Sequence, residues 1–187
     1  MRCRVVMLAV AATSVAAAQG PADGGAAAES PAARATAQLT DARIAAIAVT
    51  ANKVDIEAGR LAMRKSKSVA VKNFASDMIS EHTSANKQAV ALAQRLGFSP
   101  EENDFSRSLA QGGQDNLEHL KPLTGREFDL AYAEHEVVYH QQVLGALDDK
   151  LIRSAQNAEL KSLLQSVREM VKAHLGHAEE MYESLPK

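Results

Sequence analysis

The sequence predicts an all-α fold in which four long helices form a bundle with one long connection in the middle, and three observations predict it. Apolar residues recur in alternating steps of three and four along four segments, the period of a helix buried along one stripe. Only a few residues separate the first segment from the second (65–68) and the third from the fourth (153–157), so each pair folds back as an antiparallel hairpin. Residues 97–124 lie between the hairpins and are enough to run the length of the bundle. A four-helix bundle with a single long crossover between helices two and three is the ferritin-like arrangement.

The elements follow in order. Residues 1–18 carry Arg2 and Arg4, an apolar run from Val5 to Val10 that continues through alanines, and small residues near Ala18, the layout of a secretory signal peptide. The run is short and alanine-rich against the about 20 strongly apolar residues that a membrane span takes, so a cleaved signal is the first reading and an uncleaved anchor the alternative. Cys3 is the only cysteine and would leave with the signal, so the mature chain has no disulfide, thiolate ligand or cysteine nucleophile. Residues 19–40 are rich in Ala, Gly and Pro without apolar period and form a flexible tether. The bundle occupies residues 41–187.

The first helical stripe reads Ile44, Ile47, Ala51, Val54, Ala58 and Leu61. The second reads Val71, Ala75, Met78, His82, Ala85, Ala89, Leu92 and Leu96, and stops at Gly97 with Pro100 close behind. In the crossover, Ser99 and Glu102 form a capping-box pattern, and Gly112-Gly113 reads as a break. The third helix opens on a second such pattern, Thr124 and Glu127, and continues through Ala133, Glu136, His140, Val143, Leu147 and Leu151. The fourth reads Leu160, Leu164, Val167, Val171, His174, Ala178, Met181 and Leu185.

His82, His140 and His174 thus stand where a leucine is expected, and Glu57 and Glu136 interrupt similar stretches. Buried polar groups are costly unless they find partners, and bundles build metal sites from side chains that meet in their core. Counting inward at 1.5 Å per residue puts Glu57, Glu136 and His174 about 12–17 Å from one end and His82 and His140 about 20 Å, a common layer. Imidazoles with carboxylates suit Fe, Zn, Cu or Mn, so the five residues form a candidate site for one transition-metal ion. Glu136 and His140, at i and i+4, share one helical face. His177 lies one turn beyond His174 and could join from the flank, Glu81 points to the side, and Met78, Met170 and Met181 are packing residues first. The competing reading is a hydrogen-bond network that fixes helix register without metal.

Other chemistries lack a start. Without Arg2 and Arg4 the 21 basic residues become 19 against 23 acidic, a net charge of −4 with no basic block, so there is no footprint for nucleic acid. No phosphate loop, haem-attachment motif or serine with a positioned base is present. Nothing in the composition demands an oligomer.

The stretch Glu57-Ala58-Gly59-Arg60-Leu61-Ala62, the run Val71-Lys72-Asn73-Phe74-Ala75 followed by Met78 and Glu81-His82-Thr83, the run Phe128-Asp129-Leu130-Ala131-Tyr132 followed by His140, and the late His174 together resemble the bacterial domain of unknown function 4142. The resemblance runs from about Asp41 to Met181. It implies a ferritin-like bundle in an exported protein and brings no established reaction. Ferritin-like di-iron sites carry Glu-x-x-His on two helices, whereas Ile79 and Val171 stand three residues before His82 and His174. Without those bridging carboxylates an oxygen-activating centre is disfavoured. The sequence therefore points to a non-catalytic periplasmic protein that binds a transition metal or serves in envelope stress, with a structural bundle whose polar layer sets helix register as the alternative and a redox enzyme third.

Overall fold

A computed structural model describes residues 39–186. The signal peptide and all of the tether but its last two residues lie outside the described residues. Leu39 and Thr40 lead into helix α1 (Asp41–Lys65), followed by α2 (Val69–Arg95), α3 (Asp104–Leu120), α4 (Gly125–Ala146) and α5 (Ala158–Ser184). A π-helical turn, Leu147–Leu151, and a short helical piece, Ile152–Ser154, extend α4 toward α5.

The helix ends are set by local side chains. Thr40 and Ser68 accept backbone N–H groups of Arg43 and Val71. Asn157 accepts from Glu159 and Leu160 at 2.8 and 3.1 Å. At the end of α2, Gly97 (φ 77°) turns the chain while its own N–H and that of Phe98 reach back to Gln94 and Ala93, a Schellman closure that only glycine enters without strain.

The bundle predicted from the periodicity is the one observed. Asn52 meets Asn86 across α1 and α2, and Asp148 meets Arg168 across the α4 extension and α5, as antiparallel hairpins require. The crossover does run along the bundle, parallel to α1: Glu101 N–H donates to Ala42 O at its start, and Lys65 donates to Lys121 O at its end.

The crossover is itself helical, which the sequence reading missed. Gly112 and Gly113 lie inside α3 and break nothing. A Cβ on Gly113 would fall 2.7 Å from Val54 Cγ2, so the missing side chain lets α3 lie directly on α1. The Ser99–Glu102 cap is also displaced. Glu101 is held against the start of α1 by the Ala42 bond and by Arg43 at 3.0 Å, so helix begins later, on a capping box of Asn103 and Ser106. Thr124 makes no side-chain cap bond, because Gly125 enters α4 at φ 55°, outside the geometry that places a cap hydroxyl under the first turn.

Two apolar cores result. One joins Ala58, Leu61, Phe74, Met78, Phe128, Tyr132 and Met181; the other joins Ile44, Ile47, Leu92, Leu147, Leu160, Leu164 and Val171. On every one of α1, α2, α4 and α5 the residues between these two sets include a buried polar side chain.

Candidate metal centre

That intervening layer is the candidate site. α1 contributes Asn52 and Asp55, α2 His82, α4 Glu136 and His140, and α5 His174, none of them more than 4 % exposed. The structure gathers His82, Glu136, His140 and His174 as the helical count anticipates. It does not bring Glu57 there: Glu57 is exposed on α1 with Gln114 of α3 beside it at 3.5 Å. Asp55, two residues earlier and about 200° away around the helix, takes the place expected of Glu57. His177 and His119 are exposed, and Met78, Met170 and Met181 pack in the apolar cores.

The hydrogen bonds fix which nitrogen of each ring faces the centre. Asn52 donates its amide to Asn86 Oδ1 at 2.9 Å, so its carbonyl oxygen accepts the Nδ1 proton of His82 at 2.7 Å. His140 donates Nδ1–H to the backbone oxygen of Glu136 at 2.8 Å. His174 donates Nε2–H to Glu81 Oε2 at 2.8 Å. Each outer nitrogen carries a proton, which turns His82 Nε2, His140 Nε2 and His174 Nδ1 toward the centre. All three atoms are buried without a hydrogen-bond partner.

Asp55 Oδ2 lies 2.8 Å from His82 Nε2 and 3.2 Å from His140 Nε2. These are ion-pair separations, yet neither is aligned as a hydrogen bond, and both Asp55 oxygens and both Glu136 carboxylate oxygens lack hydrogen-bond partners. Ring nitrogens thus face carboxyl oxygens in a buried layer, an arrangement balanced by a shared cation, either protons or a metal.

Electrostatics separates the two acids. Burial alone would raise Asp55, but the adjacent His82 and His140 imidazoles overcome it and hold the carboxyl well below its usual range. Glu136 goes the opposite way, pushed well above the usual range by burial and by the Asp55 charge. The two acids of the layer are thus driven in opposite directions. Burial lowers His174, opposed by its bond to Glu81. Tyr132 and Tyr139 are both raised, by burial and by the Glu136 and Asp55 charges.

The donors fit a metal. One ligand atom from each of His82, His140 and His174 lies within 4.8 Å of the others, and the same holds for Asp55, Glu136 and His140. Donors about 2.1 Å from one ion lie at most about 4.2 Å apart, so the rings need close only by some tenths of an ångström. The outer partners Asn52, Glu81 and the Glu136 carbonyl are the kind of support that orients ligating imidazoles.

Sequence reasoning passed over Asp55 because it followed one stripe of α1. The signal available was the run Ala51, Asp55, Ala58, Ala62, an acid at helical spacing among small residues.

Comparison with curated proteins gives no match. Among solved structures the fold is similar to one described as CopM in the Cu(II)-bound form, with a TM-score of 0.60 and 14% identity over 78% of this chain and 97% of that one. The model of the family described as Domain of unknown function (DUF4142) matches residues 26–181, and with most of its length so covered the chain belongs to that family.

Proposed function

We propose that this is a non-catalytic, exported protein that binds one transition-metal ion through His82, His140, His174 and Asp55, with Glu136 as a fifth donor. The observation that carries it is the convergence of unpartnered imidazole nitrogens on two buried carboxyl groups. Three imidazoles and a carboxylate favour Cu(II) among the divalent ions by the usual affinity order, and the structural neighbour is described with Cu(II) bound. The amino-terminal basic, apolar and small-residue sequence supports export to the periplasm. No described helix is long and apolar enough to cross a membrane. The missing Glu-x-x-His pairs support a binding role over oxygen chemistry.

The test is calorimetric titration of chelator-treated full chain with Cu(II), Zn(II), Fe(II) and Mn(II). One Cu(II) per chain, tighter than micromolar and weakened at least tenfold by His82→Ala or Asp55→Ala but not by Glu57→Ala, is expected. Failure of all four metals to bind at micromolar concentration sinks the reading. A second reading draws on the chain of contacts from Asn86 through Asn52 and His82 to Asp55 and His140, which by itself can fix the register of α1, α2 and α4. It expects the same variants to alter stability while no metal binds.

A further inference from the structure

A cavity of about 130 Å³ opens beside the polar layer. Its walls are almost wholly apolar, with Ile47, Ala48, Val143 and Val171 among them, and the π-helical turn supplies Leu147 and Leu151. One end is polar: Asn52, Asp55, His82 and His140 line it. The Asp55 oxygens and the Nε2 atoms of both histidines are among the buried atoms without hydrogen-bond partners. Phe105, Leu109, Tyr139 and Gln142 line both this cavity and a groove between α3 and α4, so these four side chains alone stand where the cavity and the groove adjoin.

Size and lining together define a ligand. An apolar protein cavity of roughly 150 Å³ accepts benzene, so this one suits a body of about six heavy atoms. Water would find few partners along the apolar walls, whereas an apolar body would find contact throughout. At the polar end Asp55 Oδ1 is buried without a partner and lies outside the ion pairs that Oδ2 makes with His82 and His140, so the complementary head is a hydrogen-bond donor. Local π-helix also recurs where helices depart from regular packing to make functional space.

We infer that this cavity binds a small, neutral, largely apolar molecule bearing one hydrogen-bond donor, seated with the donor toward Asp55. The site uses residues of the metal layer at its floor, but its walls and its occupant are separate from the ion.

The experiment uses metal-free full chain with phenol as probe and benzene as the donor-less comparison. Phenol is expected to raise the melting temperature by about 3–5 °C for each tenfold excess over its Kd, with benzene acting more weakly. Ala48→Leu and Val143→Phe, on different helices, fill the walls and are each expected to abolish the phenol effect. Nuclear Overhauser contacts from phenol to the Leu147 and Leu151 methyl groups are expected in the unsubstituted chain, which keeps the test independent of how the variants fold. Absence of a phenol-dependent rise, absence of those contacts, or a rise that persists in both folded variants overturns the inference. Copper titration of the same samples separates the two proposals. Cu(II) binding without a phenol response refutes the cavity alone, and a phenol response without metal binding refutes the metal centre alone.

Discussion

Asp55 sits where the three imidazoles and Glu136 can be balanced, and its removal distinguishes a ligand from a spacer. Asp55→Ala takes away the carboxyl that the adjacent imidazoles hold well below its usual range, so Cu(II) affinity is expected to fall at least tenfold, about 1.4 kcal/mol, in a calorimetric titration. Glu81→Ala removes the acceptor that turns His174 Nδ1 inward, without touching the proposed ion, and losses of such orienting partners run to about 10–100-fold. Glu81 is half-exposed, so the low end is expected. A different residue governs acid stability. Burial lowers His135 to about 4, while its unfolded value is about 6.5. The unfolded chain then binds the extra proton between those values, so stability is full above about pH 6.5 and declines as pH falls toward 4, by on the order of 1–3 kcal/mol. Urea midpoints of metal-free protein at pH 7 and 4.5 should show the loss, and His135→Gln should reduce it.

At the scale of elements, the contact of α3 with α1 is the departure from a plain four-helix plan. It buries α1 on two sides: Val54 faces Gly113 of α3, while Asp55 and Asn52 face the bundle interior. Gly113→Ala sets two effects against each other. Helix propensity favours alanine by about 1 kcal/mol, but overpacking costs about 1–3 kcal/mol, and the clash here is with a stiff β-branched side chain at 2.7 and 2.9 Å. Net destabilisation is expected in denaturant unfolding, with recovery in Gly113→Ala combined with Val54→Ala. At the other hairpin, Asp41 accepts the N–H groups of Gln156 and Asn157 at 2.8 and 2.9 Å, tying the starts of α1 and α5 together. Arg168 clasps Asp148 in the π-helical turn and holds that turn on α5.

Residues 39–186 build two apolar cores separated by a polar layer, so a cation bound there as proposed would add to the stability of the bundle. A ligand at 100 times its Kd adds about 2.7 kcal/mol if it binds only the folded chain. For a domain of this size that corresponds to about 5–11 °C, and a Cu(II)-dependent rise of that order in calorimetric melting is expected, lost in the His140→Ala variant. Much of this organisation is legible in the sequence. The alternating steps of three and four gave the four long helices, the short turns gave the hairpins, and the long 97–124 segment gave the crossover, because these features depend on local period and chain length. His82, Glu136, His140 and His174 stood out for the same reason, each a polar group at a position whose neighbours are buried. Glu57 and Asp55 could not be told apart that way. Both lie next to apolar positions of α1, and which face of that helix looks into the bundle depends on α3 covering the other, a contact made by residues far away in the chain. The proton positions on the histidines, the cavity beside them and the helical crossover likewise follow from partners that only the packed chain brings together. A stripe in sequence reports that a face is buried; what it is buried against is decided by the tertiary structure.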